Sequence, residues 1–150
     1  MIKLKKLLFL FTGVLLTMTC TINKKTDKKS DPWSLELEKG GCLDVCQAFT
    51  ITITSNGKFK YNGKFKVKHL GLKTGTLNSE EQIKINRLLN SINWQDIKSG
   101  YGSNANSLQL KVLEYSAKTI KKKVSYSGSE PQQIKNLEHY IDTIINKDEL

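Results

Sequence analysis

Three cysteines, two histidines and a large excess of lysine are the residues of this 150-residue chain with chemistry to offer. Cys20 follows Thr17-Met18-Thr19 and closes a segment built from Met1-Ile2-Lys3-Leu4-Lys5-Lys6 and the apolar run Leu7 to Leu16. A basic start, about ten apolar residues and small residues before a cut describe an export signal. The run is too short to span a bilayer, which takes roughly 20 residues. A cysteine in that place is where a bacterial lipoprotein is cleaved and acylated. The chain is therefore expected to carry a lipoprotein signal peptide over residues 1–19 and a lipid on Cys20. That lipid would hold it to the bacterial cell envelope, on the periplasmic or outer-surface face. An ordinary signal peptide with a secreted product is the alternative. The final Lys147-Asp148-Glu149-Leu150 spells an ER-retention signal, read here as coincidence because the Cys20 context is bacterial.

With Cys20 acylated, Cys42 and Cys46 remain as an even pair, which in an oxidising exterior compartment reads as a disulfide. The loop between them, Leu43-Asp44-Val45, is short, so the entropy gain is small and the bridge would serve to pin the entry to the next strand. A redox dithiol and half of a metal site are the alternatives. Redox pairs more often enclose two residues, and a zinc site wants four ligands. No metal and no cofactor are expected. Catalysis has equally little to assemble: there is no Gly-x-Ser-x-Gly and no paired-acid spacing. His69 reads as a surface residue in a strand among lysines, and His139 as a solvated residue facing away from its helix's apolar stripe.

Arg87 is alone among the 24 basic residues; the rest are lysine. Arginine is the residue of bidentate base-edge and phosphate recognition, so no specific nucleic-acid partner is expected. Removing residues 1–19 takes away three lysines, which leaves +10 − 3 = +7 over 131 residues, a length suited to one domain. Residues 20–31 hold a single apolar side chain after Cys20 and read as a flexible tether.

The single domain, 32–150, must position what chemistry there is. Trp33, Leu35 and Leu37 alternate with polar residues as a half-buried strand. Phe49, Ile51 and Ile53 alternate with three threonines, and Asn56-Gly57 then signals a type I′ hairpin turn. Phe59, Tyr61, Phe65 and Val67 continue the alternation, and a third ribbon over 69–77 completes an antiparallel meander. Lys58, Lys60, Lys64, Lys66 and Lys68 would line its other face as an anion-binding row. Asn78 or Ser79 caps a helix, with Ser79-x-x-Gln82 matching a capping box, and Ile85, Leu88, Leu89 and Ile92 form its stripe. Residues 99–107 read as a loop. Leu108, Leu110 and Val112 then alternate with Gln109 and Lys111 as a strand, Tyr115 to Lys118 turns the chain, and Ile120 to Tyr126 returns. Ser129 and Gln132 repeat the capping spacing, and Ile134, Leu137, Ile141, Ile144 and Ile145 stripe the last helix. The expected fold is α+β: a two-layer sandwich, with an antiparallel sheet of about five to six strands and two helices packed on one face.

The ordered set Cys42-x-x-x-Cys46 entering a strand, Gly57, Tyr61-Asn62-Gly63, Gly75-Thr76-Leu77, Trp94 and Leu137-Glu138-His139-Tyr140-Ile141-Asp142 resembles the domain of unknown function 6438, a bacterial family, over roughly residues 35–145. The chain departs from its pattern at Asp44, Gln47 and Phe49, where glycine, proline and tyrosine are usual. It also lacks an acidic run after the first helix. The resemblance implies an exported, often lipid-anchored domain and no substrate. The expected function is a membrane-anchored binding or inhibitory module without catalytic activity. Its expected partners are the membrane, through Cys20, and an unknown protein or an anionic glycan. A structural cell-envelope lipoprotein is the rival reading.

Overall fold

The computed structural model describes residues 31–42, 45–102, 109–148 and 150. Residues 1–30, which hold the expected signal peptide, Cys20 and most of the expected tether, lie outside that set. Nine elements follow in order: β1 (Trp33–Lys39), β2 (Ala48–Thr54), β3 (Lys58–Phe65), β4 (Gly71–Thr76), α1 (Ser79–Asn90), β5 (Gly100–Tyr101), β6 (Lys111–Ala117), β7 (Ile120–Tyr126) and α2 (Gln132–Ile145). The fold is α+β, and the strands form one sheet in the order β4-β3-β2-β1-β6-β7-β5. Seven strands replace the expected five to six. The sheet is mixed, because β5 pairs parallel with β7 while every other pairing is antiparallel. β5 is two residues long and falls in the segment read as loop; so short a pairing leaves no periodicity to find.

Register follows the period-2 rule. One face carries Leu35 opposite Ile53 and Tyr115, and Leu37 opposite Ile51 and Leu113. Ile51 continues to Tyr61, and Leu113 to Val124. These residues join Ile85 and Leu89 of α1 and Ile134, Leu137, Ile141, Ile144 and Ile145 of α2 in one buried cluster. Trp94, just past α1, stacks on Tyr115 with ring centroids 4.3 Å apart. The opposite face is polar: Thr74, Lys60, Thr52, Glu36, Glu114 and Lys123 form one of its rungs.

Several local readings need correction, the first hairpin among them: its turn is not type I′, because Gly57 takes φ +79° and Asn56 does not take a positive φ. The alternation in β6 runs one residue out of the expected phase: Leu113 and Tyr115 are buried, Leu110 is exposed, and Lys111 faces the core side. The turn into β7 is accordingly Lys118-Thr119, with Tyr115 to Ala117 still in the strand. The capping box of α1 is Asn78 with Glu81, one residue earlier than Ser79 with Gln82. α2 starts after Pro131 with no side-chain cap, so Ser129 does not serve it.

Candidate functional site

All seven strands begin or end within two residues of one rung that crosses the sheet at a common end of the strands. It reads Gly71, Gly63, Phe49, Lys39, Lys111, Tyr126 and Tyr101. Lys39 and Lys111 stand directly opposite each other on the core side, an arrangement that like charges make unfavourable unless it is neutralised. Three carboxylates neutralise it. Lys39 Nζ lies 2.7 Å from Glu138 and 2.7 Å from Asp142. Lys111 Nζ lies 3.0 Å from Glu138 and 3.4 Å from Glu130. Aromatic rings flank both ammoniums: Phe49 at 5.5 Å from Lys39 and Tyr126 at 4.9 Å from Lys111. The side chain of Lys39 is only 8% exposed, so these are desolvated charges whose attraction is far stronger than at a surface.

The electrostatics differ within the cluster. Burial works to raise Glu138, but hydrogen bonds and charge from Lys39, then Lys111, outweigh it and hold the carboxyl below its ordinary value. Asp142 has one close ammonium and the repulsion of Glu138, so burial prevails and its carboxyl rises. Burial, and then the negative field of Glu138, push the Tyr126 phenol far up. Its buried hydroxyl nonetheless makes no hydrogen bond of normal geometry among the described residues. Glu130 turns back to accept from the Gly128 amide, 2.9 Å away. A shallow depression of about 200 Å³, lined by Lys111, Glu130, Lys135, Glu138, His139 and Asp142, opens the cluster to solvent. Chemically the group is an ion-pair network in which both ammoniums are engaged by carboxylates.

Periodicity alone does not reveal this cluster, because its partners lie far apart in sequence. Two signals could have found it. Lys39 continues the inward parity of Leu35 and Leu37, and Leu137-Glu138-x-x-Ile141-Asp142 puts two carboxylates one helical turn apart.

The lysine row does not assemble as one face. Lys58, Lys60 and Lys64 are exposed on alternate positions of β3, and Lys64 pairs with Glu38 at 3.0 Å. The register of β2 against β3 then shifts between Ala48 and Phe49, and the chain turns at Lys66, φ 49°. That turn carries Lys68 out of the row, to donate to the Asn146 carbonyl and to Asp148 at 2.6 Å. His69 lies in this loop and not in a strand, its Nε2 2.8 Å from the Lys147 carbonyl oxygen. His139 is exposed. Lys147 pairs with Glu81 and Leu150 packs against the core, so the C-terminal residues described are tied to the fold. Among the described residues no group of three or more His, Cys, Asp and Glu side chains is placed to hold a metal ion, and no helix is long and apolar enough to cross a membrane.

Cys42 and Cys46 form a disulfide with Cα atoms 5.4 Å apart. It closes the β1–β2 connection beside the terminal rung. Gln109 Nε2 ties that connection to the segment before β6, donating to the Gly40 and Gln47 carbonyls at 2.8 and 2.6 Å. Around this end lie Val45, Phe65, Leu70, Leu72 and Leu110, all exposed. They are five of the six large exposed hydrophobic side chains among the described residues.

Residues 34–145 match the family described as "Domain of unknown function (DUF6438)". No curated protein matches the chain.

Proposed function

Because the chain belongs to the domain of unknown function 6438 family, whose description brings no activity with it, we infer its role from geometry: a membrane-anchored, exported binding or inhibitory module that works through the disulfide end of its sheet. The observation that carries this reading is that Val45, Phe65, Leu70, Leu72 and Leu110, all exposed, lie along one end of the sheet. Clustered exposed apolar groups on a well-packed scaffold mark an interaction site. Behind them the Lys39–Lys111 network and the disulfide fix the strands that present them. The residues that follow α2 hold the 66–70 loop through Lys68 and His69, while the five apolar side chains themselves stay exposed. The lipid on Cys20 and the 20–31 tether supply location and reach, and the domain transforms no substrate.

Two measurements test this. Mass spectrometry of the membrane fraction should find a lipid-modified Cys20 as the first residue; an unmodified terminus downstream of it rejects the anchor. A photo-crosslinking residue at Leu72, compared with one at the distant Lys121, should give adducts at Leu72 alone. Equal adducts, or none at either position, reject the disulfide end as the working surface. Adducts only to further copies of this chain favour the structural envelope role.

A further inference from the structure

Residues 64–73 read Lys-Phe-Lys-Val-Lys-His-Leu-Gly-Leu-Lys, with apolar and basic side chains interleaved. Val67 turns inward and packs against the core, which fixes the loop, while Phe65, Leu70 and Leu72 face solvent. The exposures, 78% for Val45 and 67% for both Leu70 and Leu72, are those of projecting tips and not of groove walls. Lysine, with a flexible apolar stem and a compact charge, lets its stem lie along apolar surface while the ammonium reaches a charged layer. The ion pairs of Lys64 with Glu38 and Lys68 with Asp148 are solvent-exposed, a class worth little, so those ammoniums exchange readily for a lipid phosphate. The ammonium of Lys66 lies 5.5 Å over the Phe65 ring.

We propose that this end of the sheet is a membrane-docking surface. Val45, Phe65, Leu70, Leu72 and Leu110 enter the headgroup layer of an anionic bilayer, and Lys64, Lys66, Lys68 and Lys73 bind the lipid phosphates around them. The proposal rests on the reading above only in taking the disulfide end as the working surface; it does not require the lipid on Cys20. The geometry also suits an anchored chain. β1 begins at the opposite end of the sheet, and the 12 residues from Cys20 to Asp31 span at most about 40 Å. That is roughly twice the length of a seven-residue strand, so an anchored chain reaches far enough to lay this end on the bilayer that holds it.

The test places a tryptophan at Leu72→Trp and, in a second variant, at Lys118→Trp in the β6–β7 turn. Both variants are made in the full chain as recovered from the expressing cell. Each is mixed with brominated-lipid vesicles, either phosphatidylcholine alone or phosphatidylcholine with phosphatidylglycerol, and the parent's own Trp33 and Trp94 emission is subtracted. With anionic vesicles, Leu72→Trp should lose roughly half its emission, as expected for insertion on the order of 5–10 Å, and Lys118→Trp should lose little. Each lysine near an anionic surface is worth about fivefold in affinity. Lys64→Gln, Lys66→Gln, Lys68→Gln and Lys73→Gln combined should therefore weaken vesicle binding by roughly several hundredfold. Equal quenching at both positions, or none, overturns the proposal. So does quenching that is as strong with neutral vesicles. A blue shift of Leu72→Trp that grows with protein concentration in the absence of lipid also overturns it and makes a second copy of the chain the occupant. A protein crosslinked at Leu72 without lipid quenching removes the bilayer while leaving the binding module intact.

Discussion

Glu138→Gln keeps the shape of the side chain and removes the charge that two buried ammoniums share. Losing one partner of a buried pair costs about 3–5 kcal/mol. Lys39 retains Asp142 at 2.7 Å, so its loss is partial. Lys111 is left with Glu130 at 3.4 Å, and water reaches it through the adjoining depression. One ammonium stranded and partly hydrated places the cost near the lower end, about 3 kcal/mol. With a urea slope of about 1.5–2 kcal/mol/M for a domain of this size, the unfolding midpoint should fall by about 1.5–2 M. Trp94, stacked on Tyr115 in the core, reports the transition by fluorescence. Glu80→Gln, at an exposed position in the first turn of α1, is the control and should shift stability by no more than about 0.5 kcal/mol. In the cycle with Lys39→Met and Glu138→Leu, the two losses should fall short of additivity by at least about 1 kcal/mol. A Glu138→Gln midpoint no lower than the control's, or strict additivity, refutes the view that this network holds the end of the sheet.

Acid unfolding should separate the two carboxylates of α2. Glu138 is held below its ordinary 4.5, so its contribution is fully present above that pH and is lost as pH falls through the folded-state value. Asp142 is held above its ordinary 3.8, so charging it weighs against the native state, and that penalty fades in acid. Asp142→Asn removes the opposing contribution, and urea midpoints between about pH 5 and 3 should fall more steeply than in the parent; a parallel or shallower profile contradicts this. A Cβ at Gly63 would fall on the His69 carbonyl oxygen, with the Tyr61 hydroxyl and a Val67 methyl each 2.8 Å away. Gly63→Ala should therefore cost about 3 kcal/mol by thermal or urea melting, whereas Gly41→Ala, with nothing within 4 Å, should be near neutral. Reduction of Cys42–Cys46 should lower stability by about 2 kcal/mol, the loop-closure value for so small a ring. A urea midpoint unchanged by reductant would show the bridge to be energetically idle.

Elements whose pattern is set by burial on one face were legible from the residues: β1, β2 and the α2 stripe, the last with all its expected residues buried. The hairpin at Asn56-Gly57 was legible in place but not in type, since Gly57 takes positive φ and Asn56 does not. The family motifs also have local causes. Gly57 takes φ +79° at the hairpin, Gly63 is crossed by the His69 backbone, and Tyr61 packs on Phe49 at 5.7 Å. What escaped depends on distant partners. Lys111 belongs on the core side only because Glu130 and Glu138, some 20 to 30 residues later, neutralise it. Without them Leu110 and Val112 look like the buried pair, and the phase of β6 inverts. The lysine row departs from a single face for a related reason. Alternation assumes an unbroken strand, and the register shift at Ala48/Phe49 and the positive φ at Lys66 break it.

The central place of β1 shapes how the chain reaches its native state. Its neighbour on one flank, β2, is made almost at once. Its neighbour on the other, β6, pairs Tyr115 with Leu35, a separation of 115 − 35 = 80 residues. Contacts of such long range close slowly, since chain entropy is lost before they are rewarded. A nascent chain ending before residue 111 leaves Leu35 and Leu37 bare along one margin. It cannot complete its sheet until β7, which ends at Tyr126, has been synthesised.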